Sequence, residues 1–196
     1  MGTGLRISEF CGLTIRDVDF QNKKITVNKQ LRRDPKGRYY ITKTKTKSGE
    51  RFIPMSEAVQ QAFQRAIKKR KKPKKEYMVD GISGFIFLTQ EGKPKVAVHY
   101  QMTMHRILKT YNQTHEEQWK IPLTPHVMRH TFCTDLVNSG MDLKSVQYLM
   151  GHSNIRTTLN IYAHSDFKTA QRAFFSGDYH GPMDFPDTRS DTSSVL

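Results

Sequence analysis

The hydrophobic periodicity of the chain changes once along its length, and this change limits the possible folds more than any other feature. Between residues 18 and 54, short stretches rich in β-branched and aromatic side chains alternate with polar positions. From Val98 to Phe175 the apolar residues instead recur at helical spacing. The pattern predicts a mixed α/β fold that is mostly helical, with a small antiparallel sheet at one edge.

Two glycine-containing turns, Asp34–Gly37 and Lys47–Glu50, separate the alternating stretches and favour tight chain reversals. The alternating stretches are Val18–Phe20, Lys24–Leu31, Tyr39–Thr42 and Arg51–Pro54. They predict a three-stranded antiparallel sheet. A further apolar run, Phe85–Leu88, is expected to be buried.

Helices are predicted before and after the strands along the chain, by apolar spacing and by capping residues. The predicted helical stretches are Leu5–Leu13, Ser56–Ile67, Val98–Tyr111, Thr124–Ser139, Asp142–Met150, Asn154–Tyr162 and Asp166–Phe175. Residues 176–196 are rich in Ser, Asp, Pro and Gly. We expect one domain over residues 1–175, followed by a disordered acidic tail at 176–196.

The composition indicates an acidic partner. The 196 residues include 32 Lys and Arg against 18 Asp and Glu, a formal charge of +14. Nucleic acid, an anionic membrane or an acidic protein could each bind such a chain. No apolar run approaches the roughly 20 residues that span a bilayer, so an integral membrane protein is excluded. With only Cys11 and Cys133 and no CxxC pair, neither a disulfide framework nor structural zinc is expected.

The segment Pro125–Thr131 carries a first candidate pair, His126 and Arg129, three residues apart on one face near a predicted helix N-terminus. That end of a helix attracts anions. The alternative is structural, with one His capping the helix and Arg129 paired with a carboxylate. The pair by itself does not decide between the two interpretations.

The segment Leu149–Ser153 contains His152, and Tyr162 follows ten residues later. A tyrosine at a helix end is usually half-buried packing, and His152 could be a turn residue. The two short predicted helices around Gly151 also have the outline of a helix-turn-helix, which would place the second helix in a DNA major groove. This outline is a weak signal.

Arg6 lies just inside the predicted start of the first helix, where a cation is disfavoured unless an anion is nearby. The anion could be a phosphate or a carboxylate such as Glu9. The basic run Lys68–Lys75 could be a solvated linker or a surface that contacts phosphates without reading sequence.

Considered together and in order, these motifs resemble the catalytic domain of the tyrosine recombinases of the phage integrase family. The matching segments are Thr3–Glu9, the Lys-rich hairpin ending at Ile53 and Pro54, Pro125–Thr131, Leu149–Ser153, and Tyr162. The resemblance is strongest to integrases of conjugative transposons and phages of Gram-positive bacteria. It extends from about Gly2 to Phe175.

The resemblance implies cutting and rejoining of double-stranded DNA through a 3'-phosphotyrosine, without metal, ATP or another cofactor. It implies that Arg6 and Arg129 clamp the scissile phosphate, that Tyr162 is the nucleophile and that His126 assists its deprotonation. His152 would donate a hydrogen bond to the phosphate. Lys47 would protonate the leaving 5'-oxygen, with Lys45 as the alternative. Expected phosphate contacts are Lys43, Lys45, Lys68, Lys69, Arg70 and Lys71.

The resemblance also implies a homotetramer on DNA, formed by passing the last helix to a neighbouring subunit. The apolar side of that helix consists of Phe167, Ala170, Ala173, Phe174 and Phe175. The alternative is that it folds back on its own domain. The expected location is the bacterial cytoplasm, at the nucleoid during reaction.

In the family, further helices and a core-binding domain precede the Thr3–Glu9 motif, so we expect a truncated or fragmentary chain. Three other functions compete with recombination: a non-catalytic DNA-binding fragment, a type IB topoisomerase and a metal-dependent nuclease. The nuclease is disfavoured because no HxH or HExxH spacing occurs with carboxylates.

Overall fold

The computed structural model describes residues 2–43, 50–71 and 73–162, without the side chains of residues 160–162. Lys45, Lys47, the predicted last helix Asp166–Phe175 and the predicted tail therefore lie outside the described residues.

The structure is a mixed α/β fold with small antiparallel sheets, as the periodicity predicts. Its elements in chain order are α1 (Ile7–Cys11), a 3-10 turn (Ile15–Asp17), β1 (Val18–Asp19), β2 (Lys24–Val27), β3 (Lys29–Arg33), β4 (Tyr39–Lys43), β5 (Arg51–Pro54), α2 (Glu57–Lys68), α3 (Ala97–Thr114), α4 (Pro125–Asn138), α5 (Leu143–Met150) and α6 (Ile155–Tyr162). None of these described helices is both long and apolar enough to cross a membrane.

The stretch predicted as one strand over Lys24–Leu31 is two strands. It divides at Asn28, so that β1, β2 and β5 form a three-stranded sheet while β3 and β4 form a separate hairpin. The division has a packing reason. Ile25 and Val27 belong to one core, whereas Leu31 belongs to another. A single straight strand could not place its apolar face in both cores, so tertiary packing bends the chain at this point.

The cores explain how the sheets and helices hold together. The largest packs the β1-β2-β5 sheet against α2 through residues such as Ile25, Ile53 and Phe63. The second lies under the β3-β4 hairpin and includes Cys11 and Phe85. The run Phe85–Leu88 forms isolated bridges at its two ends rather than a strand of a sheet. Its first two residues are almost fully buried, as predicted, and the last two are partly buried.

A third core joins α4 and α5 through Cys133, Val137, Val146 and Met150. Side-chain caps begin both helices: Thr124 accepts from the Val127 N–H at 3.2 Å, and Asp142 accepts from the Ser145 N–H at 2.9 Å. This core places the C-terminus of α5 against residues from the beginning of the chain and from β5.

Candidate active site

The residues of the candidate site meet at the C-terminus of α5. Its last carbonyl groups have no intrahelical partner and carry partial negative charge. Three consecutive carbonyls each accept a hydrogen bond from a different guanidinium: Leu149 from Arg51 at 2.8 Å, Met150 from Arg129, and Gly151 from Arg6 at 2.7 Å. We call Arg6, Arg51 and Arg129 the arginine cluster. Three cations from distant parts of the sequence therefore share one helix end.

The carboxylate of Glu9 lies between two of these cations. Its side chain is fully buried and accepts from Arg6 at 2.9 Å and from Arg51 at 3.2 and 2.8 Å. Burial opposes ionisation of Glu9, but the hydrogen bonds and charges of Arg51 and Arg6 outweigh it and hold the pKa below its usual value. The sequence suggested a phosphate or a carboxylate such as Glu9 as the partner of Arg6, and in the structure Arg6 pairs with Glu9.

Two glycines in the left-handed conformation allow the backbone to approach this cluster. Gly151 has φ of 61°, and a Cβ there would lie 2.7 Å from Nη1 of Arg51. Gly4 has φ of 56°, and a Cβ there would lie 2.5 Å from the ring of Phe132. Because a larger residue would be strained in backbone and would displace a neighbour, both positions require glycine.

Arg129 is held from two sides. Its guanidinium donates to the carbonyls of Gly4 and Met150, so the beginning of the chain and the end of α5 fix its plane. Burial and the charge of Arg6 lower its pKa to about 10. Arg129 therefore remains protonated at neutral pH, and its partners are carbonyls rather than the carboxylate of the alternative interpretation.

The three arginines differ in what they can offer a ligand. Arg51 is fully buried and uses Nε, Nη1 and Nη2 on Leu149 and Glu9. Among the described residues, Arg6 and Arg129 each use only two of their five N–H donors, and the Arg6 side chain is 36% exposed. Arg6 and Arg129 can therefore bind an external anion, whereas Arg51 is a structural support.

His152 directly follows Gly151, whose carbonyl accepts from Arg6, and it is half-buried. Its backbone is fixed by Gln147, which accepts from its N–H and donates to its carbonyl, both at 3.1 Å. Burial, followed by the charges of Arg129, Arg6 and Arg51, lowers its pKa to about 4. The imidazole is therefore neutral at pH 7 and carries one proton, which it can donate to an anion.

His126 lies on α4 three residues before Arg129, but its environment is different. Thr124 caps the helix, so His126 is not the cap, and its side chain is exposed while Arg129 is 8% exposed. His126 is thus accessible to a ligand that reaches the N-terminus of α4.

Tyr162 is the last residue of α6, which begins four residues after Gly151. The beginning of α6 therefore lies close in the chain to Gly151, whose carbonyl accepts from Arg6, while the side chain of Tyr162 lies outside the described residues. The predicted pair of short helices around Gly151 is present as α5 and α6, with the turn between them bonded to Arg6.

The predicted phosphate-contacting residues fall into two groups. Lys43, Lys68, Lys69 and Lys71 are exposed. Arg70 instead has a side chain that is 4% exposed, donating to the Phe85 carbonyl and to both oxygens of Glu76 at 2.7 Å. Arg70 follows α2 and connects it to the buried run through the Phe85 carbonyl. Its charge is already paired with Glu76.

Arg51 is the site residue that the sequence analysis missed, and a signal for it exists. Residues 51 and 53 share a strand face, and Ile53 is an evident core position. An arginine on a core-facing strand position needs a buried partner. This reasoning would have predicted a buried acid for Arg51 without identifying Glu9.

Within residues 2–43, 50–71 and 73–162, no group of three His, Cys, Asp or Glu side chains lies close enough to hold a metal ion.

Known proteins resemble most of this chain. The phage integrase family model matches residues 1–169. A transposase from transposon Tn916 of Enterococcus faecalis is 50% identical over 169 residues, which is 86% of this chain and 41% of the relative. Tyrosine recombinase XerC of Bacillus subtilis is 31% identical over 188 residues, covering 93% of this chain and 51% of that protein.

Solved structures show the same fold. The Tn1549 transposon integrase in complex with transposon right end DNA matches with a TM-score of 0.80 and 54% identity, over 88% of this chain and 54% of that one. XerA recombinase matches with a TM-score of 0.60 at 24% identity, a likeness of fold. The chain thus spans about half the length, or less, of these relatives.

Proposed function

Because the chain belongs to the phage integrase family, we propose that it is the catalytic part of a site-specific DNA recombinase that acts through a phosphotyrosine. The observation that carries the proposal is the arginine cluster at the C-terminus of α5, which is followed at once by His152 and by the helix that ends in Tyr162.

The cluster suits a phosphodiester under attack. Negative charge grows on the non-bridging oxygens in the transition state, and preorganised donors in a site of low polarity stabilise it most. Arg6 and Arg129 each keep N–H donors for these oxygens, and their guanidinium planes are already fixed by carbonyls. His152, being neutral, adds a donor without requiring a proton from solvent.

Tyr162 would attack phosphorus. The bond from phosphorus to the 5'-oxygen breaks as the bond to the phenolic oxygen forms, so one ester replaces another and rejoining needs no ATP. The phenol has a reference pKa of about 10, so it requires a base, for which His126 is the candidate. The leaving 5'-oxygen takes a proton, for which Lys47 is the candidate and Lys45 the alternative.

The substrate that follows is double-stranded DNA. Tn1549 integrase, to which this chain is similar, is solved on transposon DNA. We propose a tetramer on DNA formed through the segment 166–175, and action at the nucleoid in a bacterial cytoplasm. Light scattering of the chain with and without DNA tests the assembly, and a monomer in both conditions contradicts it.

A nicked suicide substrate carrying the attachment site tests the chemistry. The wild-type chain should form a denaturation-resistant protein–DNA adduct, and Tyr162→Phe should abolish the adduct while DNA binding is retained. Adduct from Tyr162→Phe would refute the assignment of the nucleophile. If the wild-type chain forms no adduct when its DNA binding is saturated, a non-catalytic DNA-binding role is favoured instead.

The leaving-group acid is tested separately. Lys47→Ala should slow adduct formation, and a 5'-bridging sulfur should largely restore the rate because a thiolate leaves without a proton. Arg6→Gln serves as the matched control, since its defect lies in phosphate binding and should not be rescued. Rescue of Lys45→Ala rather than Lys47→Ala would move the role to Lys45.

A further inference from the structure

Thr158 makes a contact that the proposed mechanism does not use. It lies on α6, its relative exposure is 0%, and its Oγ1 is 3.0 Å from Nδ1 of His152. Its neighbour Thr157 is exposed on the same helix. A fully buried hydroxyl beside a half-buried histidine therefore requires an explanation.

The direction of this hydrogen bond follows from the requirements of the hydroxyl. A buried O–H needs an acceptor, and a buried donor without one costs about 1–3 kcal/mol. Among the described residues, Nδ1 of His152 is the hydrogen-bond partner of Thr158 Oγ1. If the hydroxyl donates to Nδ1, that nitrogen carries no proton.

The charge state of the ring supports the same assignment. Burial and the charges of Arg129, Arg6 and Arg51 lower the pKa of His152 to about 4, so the ring holds a single proton at neutral pH. With Nδ1 used as an acceptor, this proton is on Nε2. The opposite tautomer would present a lone pair at Nε2, which would repel a phosphate oxygen.

We propose that Thr158 is a positioning residue for His152, holding its proton on Nε2 so that the ring donates to the anion bound by Arg6 and Arg129. This inference rests on the proposed function and deepens it by adding a residue that acts through His152. Thr158 also lies four positions before Tyr162, one helical turn away on the same side of α6. The contact therefore ties the helix that carries the nucleophile to the phosphate donor.

The tautomer can be measured without any catalytic assay. In the full 196-residue chain labelled with ¹⁵N-histidine, the ring nitrogens of His152 should show a protonated Nε2 and an unprotonated Nδ1 at pH 7. Thr158→Ser, which keeps the hydroxyl, should preserve this pattern. Thr158→Val, which has a similar shape but no hydroxyl, should give a mixture of tautomers. A wild-type ring protonated on Nδ1 overturns the proposal, whether or not any variant folds.

Adduct formation on the nicked substrate gives the second readout. Thr158→Val should slow the reaction about 10-fold, the equivalent of one lost hydrogen bond, at unchanged DNA affinity. Thr158→Ser should be close to wild type, and Thr157→Val is the matched control that should leave the rate unchanged.

Equal rates for Thr158→Val and Thr157→Val would refute the positioning role. If the wild-type chain forms no adduct, the proposed function fails, whereas the tautomer measurement still decides the role of Thr158.

Discussion

Two regions of the molecule concentrate positive charge, and they do so in opposite ways. In the arginine cluster, each guanidinium is fixed by the backbone at the end of α5, and Arg51 and Arg129 are buried. In the run Lys68–Lys71, the three lysines are exposed and Arg70 is paired with Glu76. The same sign of charge can therefore support different functions: fixed cations can stabilise a transition state, while solvated cations attract a polyanion such as DNA and are screened by salt.

The largest expected effect is on the rate of adduct formation, when the buried guanidinium of Arg129 is replaced by an amine. Arg129→Lys keeps the charge but cannot hold the fork geometry toward Gly4 and Met150, and it removes donors from the phosphate. Its rate of adduct formation under single-turnover conditions should fall about 100- to 1000-fold. Lys69→Arg, the reverse exchange in the exposed run, should leave the rate unchanged. Near-normal activity of Arg129→Lys would mean that a positive charge is enough for the reaction without fixed geometry. The arginine cluster and the exposed run Lys68–Lys71 would then not differ in this respect.

The next effect concerns stability rather than rate. Arg51→Met leaves the buried Glu9 with Arg6 as its remaining cation and leaves the Leu149 carbonyl unpaired. Loss of one partner from a buried ion pair costs about 3–5 kcal/mol, so the urea midpoint should fall strongly. Arg38→Met, in the exposed turn of the β3-β4 hairpin, is the matched control and should change the free energy of unfolding little.

The double variant Arg51→Met with Glu9→Gln tests the pairing itself. It should be less destabilised than the sum of the two single variants, because no buried carboxylate then remains without Arg51. Strict additivity would show that the two residues stabilise the protein independently.

A smaller effect is expected in the exposed run. Replacing Lys68, Lys69 and Lys71 with Gln should weaken DNA binding and make the salt dependence of log K shallower by up to about 2.7, or roughly 0.9 per lost phosphate contact. The adduct rate at saturating DNA should not change. An unchanged salt slope would show that this run is a solvated linker.

The last effect is a pH dependence of stability. The pKa of His152 is about 4 in the folded chain, below its ordinary value of 6.5. As the pH falls from about 6.5 to 4, the unfolded chain gains a proton that the folded chain does not, so the free energy of unfolding should decrease. In chemical denaturation, His152→Gln should reduce the change in the free energy of unfolding between pH 6.5 and 4. Stability that stays constant from pH 6.5 to 4 in the wild type would contradict the shift.

Much of the fold was predictable because local patterns and tertiary packing agree. The ends of α4 and α5 agree with the predicted ranges, with Thr124 and Asp142 as caps and Gly151 at the end of α5, since these roles depend on neighbouring residues only. The division of Lys24–Leu31 at Asn28 was not predicted, although three polar residues, Asn28–Gln30, interrupt the alternation there. The sequence does not show that the two parts face different cores, and the positions of those cores impose the bend.

The sequence by itself determined the residue types of the candidate site and their order along the chain, because the motifs around Arg6, Arg129 and His152 are local and recognisable. Tertiary structure alone decided which buried groups hold the arginines in place. Arg51 and Glu9 are 42 residues apart, and Arg51 and Leu149 are 98 apart. A buried charge must find its partner wherever the fold places one, and no local pattern encodes a distance of that kind.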